Sequence, residues 1–239
     1  MEKAIIINRK DDLRHCNSRF KRVYLGNEFC SRLLPCRKEA EDIMKEVVSK
    51  KIEVTLLTPQ VGEEEIGKVK ELAGIFHEKG RLKEIVVNDY GVFNYIKMEY
   101  PDCAIIFGRI ISKALFSYPG DFLRAGVKGF ETDDFFVASK AVKNLAGKHP
   151  GLSYYYPYTL VYNSLYCPMA NIKNNRSKNA GITECSKECQ EIGELLIKRG
   201  GNKKDTILKG NSQFFKNNNF KKIKNGLIGR MVFQPRIPL

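Results

Sequence analysis

Cys167, Cys185 and Cys189 are the residues of this 239-residue chain whose type and spacing could do chemistry together. Cys185 and Cys189 stand four positions apart, so on a helix both thiols would face one object. Cys167 lies eighteen positions before Cys185, at the end of a tyrosine-rich run and across a polar stretch. Thiolates gathered in this way coordinate zinc or iron–sulfur centres, and zinc pairs use a comparable C-x2–4-C spacing. A fourth ligand is needed. Cys30, in Gly26-Asn27-Glu28-Phe29-Cys30-Ser31-Arg32, and nearby Cys36 compete for it. Cys16 and Cys103 read as small apolar filler, Cys103 at the head of a buried strand.

The elements that must position these thiols follow from the hydrophobic pattern. Ala4–Ile7, Arg22–Gly26, Glu53–Thr58, Glu84–Asn88, Cys103–Phe107 and Val127–Thr132 are short runs rich in apolar and β-branched residues. Between them, Arg37–Lys50, Glu63–Lys79 and Gly91–Met98 carry helical stripes, Gly120–Ala125 suits a helical turn, and Phe135–Ala146 reads as a helix. Continuous apolar strands alternating with amphipathic helices predict an α/β protein with a parallel sheet covered on its outer face. Six strands before residue 150 favour a TIM-like (β/α) barrel over an open sheet. Residues 1–150 are then the βα repeats, within one domain. Residues 151–239 supply the remaining barrel strands, the cysteine cluster, a hairpin over Thr206–Phe215, a late strand over Leu227–Pro235 and a basic C-terminal segment. Leu152–Tyr166 reads as one long strand, and Cys185 opens a helical pattern through Ile197.

Function in such barrels collects at the C-terminal ends of the strands. Cys30 follows the second strand there. Asp89, at a strand end, and Arg109, just after one, are candidate substrate contacts, with a structural role as the alternative for each. Asp133 and Asp134 read as a helix N-terminal pair favoured by the dipole.

Charge and composition narrow the function classes. The net charge is +14, and residues 198–239 hold eleven Lys or Arg against the single acid Asp205, a share of +10 (11 − 1). Such a segment, with Phe214, Phe215 and Phe220, could contact RNA through phosphates and stacking; a solvated lysine-rich surface is the plainer alternative. The apolar start Ala4–Ile7 is too short for an export signal, and no later stretch is long enough to span a membrane. The expectation is a cytoplasmic protein whose cysteines stay reduced. A peptidase or zinc protease is disfavoured, because the histidines are His15, His77 and His149 alone and no H-E-x-x-H occurs.

The chain resembles the peptidase family U32-like proteins, and among them the oxygen-independent ubiquinone hydroxylation factors of the UbiV type. The resemblance rests on Val23–Arg32 with its Cys-Ser step, Asn88-Asp89-Tyr90-Gly91-Val92, Tyr162-Asn163-Ser164-Leu165-Tyr166-Cys167 and Cys185-Ser186-Lys187-Glu188-Cys189. It implies a 4Fe–4S cluster, with zinc as the alternative, on Cys30, Cys167, Cys185 and Cys189, and so selects Cys30 over Cys36. It also implies a part in oxygen-independent hydroxylation of a quinone precursor or related compound, beside a second family member as heterodimer partner. RNA base hydroxylation is the alternative. Related RNA-modifying branches carry another cysteine where this chain has Leu160, a departure that argues against them. Relatives continue past the strand around Met231–Phe233, so the resemblance predicts a barrel that is incomplete, or closed by a partner.

Overall fold

The computed structural model describes residues 1–115, 119–134, 136–137, 151–171, 185–201, 204–217 and 228–239. The seven strands β1 (Glu2–Ile7), β2 (Arg22–Gly26), β3 (Glu53–Leu57), β4 (Glu84–Val87), β5 (Ala104–Phe107), β6 (Gly129–Thr132) and β7 (Gly151–Tyr156) come first. Four more, β8 (Tyr158–Asn163), β9 (Leu195–Ile197), β10 (Thr206–Lys209) and β11 (Ser212–Lys216), form a separate antiparallel sheet in the order β8-β11-β10-β9. β12 (Arg230–Phe233) then returns between β1 and β7 and closes an eight-stranded parallel barrel.

Parallel strands need cover on both faces, and alternation along each strand sorts the side chains. Val23, Leu25, Val54, Leu56, Ile85 and Val87 face outward. They pack on α1 (Arg37–Ser49), α2 (Ile66–Glu78) and α3 (Tyr90–Glu99). α4 (Arg109–Leu115) and α5 (Pro119–Arg124) follow β5. Ala4, Ile6, Tyr24, Val86, Tyr155 and Val232 face inward and fill the barrel.

The expectation of an incomplete barrel is corrected, because β12 supplies the eighth strand. Arg230 reaches across the barrel from that strand and donates to Glu2 at 2.8 Å, to Glu84 at 2.7 and 3.1 Å and to the Tyr24 hydroxyl at 2.6 Å. Its charge therefore ties the last strand to β1, β2 and β4. Leu152–Tyr166 is also not one strand. It divides at Pro157 into a barrel strand and an edge strand of the small sheet, since proline cannot donate to a ladder. The helix expected over Phe135–Ala146 lies almost wholly outside the described residues. No helix among the described residues is long and apolar enough to cross a membrane.

Candidate functional site

The small sheet packs at the C-terminal ends of the barrel strands, where Leu160 N–H meets Asp133 and the Asn211 amide meets the Phe29 carbonyl, and three of the four candidate cysteines belong to the chain between β7 and β12. Cys30 comes from the barrel itself. β2 ends at Gly26, whose φ of +135° and close approach to Leu57 exclude a side chain; a Cβ there would sit 2.1 Å from the Leu57 carbonyl oxygen. The Asn27 carboxamide oxygen then accepts from the N–H groups of Phe29 and Cys30 at 3.0 and 2.9 Å, which sets the thiol at the rim. Burial pushes that thiol up to about 11; Cys189 and Cys185 push the same way, against the N–H groups of Arg32 and Leu33.

Cys167 leads into the turn Pro168–Asn171. Burial raises its thiol, the N–H groups of Ala170 and Met169 oppose this, and Cys189 and Cys185 add to it. Cys189 is buried, raised by burial and by Cys185, and accepts from the Gln190 amide at 3.8 Å. Gln190 is in turn held by Arg9 at 3.2 Å. Each of the four thiols thus lies within electrostatic reach of others in the set. Cys185 is not helical as the spacing suggested. Lys187 adopts a left-handed φ of 62°, so α6 (Glu188–Ile192) starts only after it and stops before Gly193. Among the described residues no three His, Cys, Asp or Glu side chains are spaced to grip a single metal ion. Cys36 is exposed ahead of α1, while Cys16 and Cys103 are buried in the outer core.

Asn211, at the tip of the β10–β11 hairpin, joins the two cysteine-bearing segments. Its amide donates to the Phe29 carbonyl, next to Cys30, and to the Ser164 carbonyl, both at 2.7 Å. Asn211→Asp keeps the shape but replaces a buried donor by an acceptor facing two carbonyls. It should lower stability by about 1–3 kcal/mol, read as the urea midpoint of the variant against the wild type.

The barrel mouth holds a charge network that the sequence did not reveal. Arg109 is fully buried. It donates to Glu28 at 3.0, 3.1 and 2.5 Å, to Asp133 at 3.0 Å and to the Tyr158 carbonyl at 3.3 Å. Its guanidinium stacks 4.1 Å from the Tyr155 ring centre. Burial disfavours its charge, yet Glu28 and Asp133 outweigh that and raise its pKa. Asp133 also accepts from Leu160 N–H at 2.7 Å, so one network binds β2, β5 and β6 to the small sheet. The expected helix N-terminal pair is corrected accordingly: Asp134 accepts from Phe136 and Val137 N–H, whereas Asp133 serves Arg109. Asp89 caps α3, accepting from Gly91 and Val92 N–H at 2.7 and 3.0 Å. The missed signal was positional, since Glu28, Arg109 and Asp133 all stand just past apolar strand runs.

Phe214 is buried 5.2 Å from Phe29 and is not on the surface for stacking, and Phe220 lies outside the described residues. His77 is exposed on α2 and packs on Tyr100.

The geometry defines the class first: a closed (β/α) barrel of the TIM type with an inserted antiparallel sheet. No family model and no curated protein matches the sequence. Among solved structures, the chain is similar to the U32 peptidase Mk0906, with a TM-score of 0.59 and 10% identity. The match covers 100% of this chain and 94% of that one. At that identity the likeness shows a shared fold.

Proposed function

We propose that the protein is a 4Fe–4S protein that acts in, or assists, oxygen-independent hydroxylation of a quinone precursor or related compound. What supports the cluster assignment is that Cys185 and Cys189 act electrostatically on both Cys30 and Cys167, thiols that come from separate chain segments. The donor set fits: four soft thiolate ligands, with amide N–H groups turned to Cys30 and Cys167 and a side-chain amide to Cys189. A bound cluster would supply one-electron transfer beside the barrel mouth. The chain's own residues fix where that happens, because Asn27 sets Cys30 and Gln190 donates to Cys189. The hydroxylation itself rests on the sequence resemblance.

A second family member is the proposed partner. Exposed Tyr162, Leu165 and Tyr166 beside Cys167 support a covered surface there. Anaerobic purification with iron, sulfide and zinc analysis tests the cluster. We expect a brown protein with about four irons per chain, lost on changing Cys30, Cys167, Cys185 or Cys189 to Ala and retained in Cys36→Ala. A colourless protein with stoichiometric zinc would overturn the assignment.

A further inference from the structure

The tip of the β10–β11 hairpin, Lys209-Gly210-Asn211, touches each segment that brings a cysteine to the candidate site. Asn211 holds the Phe29 carbonyl beside Cys30 and the Ser164 carbonyl upstream of Cys167, both at 2.7 Å. Gly210 N–H donates to the Met169 sulfur at 3.0 Å, in the turn that follows Cys167. The same glycine lies against α6, for a Cβ added to it would sit 3.7 Å from the Cys189 Cβ. Its φ of +57° suits glycine there. Hairpin tips normally run over the surface. This one is inside, with Lys209 only 7% and Asn211 only 6% exposed.

A buried lysine needs an anion to justify the loss of its hydration. The carboxylate of Glu194 is 3.8 Å from the Lys209 ammonium, but that side chain is itself 47% exposed. A carboxylate at the surface could pair with an exposed lysine, so Glu194 alone does not account for the burial. The remaining negative charge comes from the thiols. Burial lowers the Lys209 pKa and Arg9 acts with it, while Glu194, Cys189 and Asp12 favour the ammonium. The influence is mutual: against burial and Cys185, Lys209 favours the thiolate of Cys189. Reduction of a thiolate-bound cluster adds one electron and one negative charge, with no bond broken and no proton moved. Net charge around the cluster is one of the quantities that set its potential, and a buried cation is screened least.

We propose that Lys209 is the buried cation of the cysteine site, raising the reduction potential of the cluster held by Cys30, Cys167, Cys185 and Cys189, with Glu194 as the countercharge that moderates it. This rests on the 4Fe–4S reading and adds to it a residue that binds no iron.

The test is anaerobic reduction of the full chain with dithionite as electron donor, followed by absorbance against redox dyes, with iron measured in each sample. Lys209→Met should disfavour the reduced state at least tenfold, a fall of about 59 mV for one electron. Lys209→Arg should stay within about threefold of wild type. Glu194→Gln should favour the reduced state at least twofold. Lys45→Met, at an exposed position on α1, should leave the potential unchanged. Opposite signs at Lys209 and Glu194 separate a charge effect from loosened packing, which would move both variants the same way. Should Lys209→Met fail to retain iron, the sign of the Glu194→Gln shift decides. An unmoved potential in iron-loaded Lys209→Met, or a fall in Glu194→Gln, overturns the proposal and leaves the cluster reading intact. A wild type that holds no iron overturns both.

Discussion

Arg109→Met is expected to destabilise the protein by about 3–5 kcal/mol, the range found when one partner of a buried ion pair is removed. The reason is geometric. Glu28 and Asp133 are both fully buried, and Arg109 is the cation within hydrogen-bonding distance of each. Methionine fills much of the same volume but leaves the Glu28 carboxylate without its cation and Asp133 with Lys113 alone, 3.9 Å away. For a chain of this length the loss corresponds to roughly 6–20 °C in melting temperature. Arg109→Lys should recover part of it, restoring charge without the planar fork that grips Glu28 from two nitrogens. A melting temperature for Arg109→Met within 2 °C of wild type would show that the network does not hold the barrel mouth. The same variant should loosen the Cys30 loop, because Glu28 lies two residues before that thiol. Thiol labelling of Cys30 should therefore accelerate in Arg109→Met more than labelling of Cys103, which lies in the outer core.

The barrel was legible because its signals are local. Ile5, Val23, Val54 and Ile85 sit in runs that pack on both faces, and the helix stripes between them point inward, so element type and order follow from the sequence. The site was legible only in part. Residue type and spacing single out Cys167, Cys185 and Cys189, while the choice of Cys30 over Cys36 came from the resemblance; the helical argument for Cys185 failed on one backbone torsion, at Lys187, that spacing does not encode. The closure of the barrel was hidden for a different reason. Arg230 finds Glu2 and Glu84 across 228 and 146 positions of sequence, and such pairings appear only once the strands are arranged. The mouth network is of the same kind, with Arg109 and Glu28 separated by 81 positions. Long-range charge pairs at strand ends are therefore what the sequence withholds, and here they decide both the closure and the setting of Cys30.

Glu131→Gln is expected to flatten the pH dependence of stability between about pH 5 and pH 8. Burial inside the barrel pushes the Glu131 carboxyl up to about 8, and the charge of Glu28 adds to this. Hydrogen bonds from Tyr155 and Tyr24 and the charge of Arg230 oppose it. In the unfolded chain a glutamate titrates near 4.3. Between these two values the native state keeps a proton that the unfolded state has released, so raising the pH favours unfolding. The stability contributed by neutral Glu131 is complete below the unfolded value and is lost as pH rises through the folded one. One pH unit in that window is worth up to about 1.4 kcal/mol, so wild type should lose up to about 4 kcal/mol from pH 5 to pH 8 through this group. Glutamine keeps an amide in the same place and cannot ionise. Urea unfolding of both proteins at each pH unit across the window isolates the effect, since the remaining titrating groups are shared. Parallel stability curves would mean that Glu131 is already ionised at pH 5 and that the Tyr155 hydroxyl, 2.5 Å away, donates to a carboxylate. Diverging curves would mean that the barrel interior stores a proton at neutral pH, on the carboxyl that meets the Tyr155 hydroxyl.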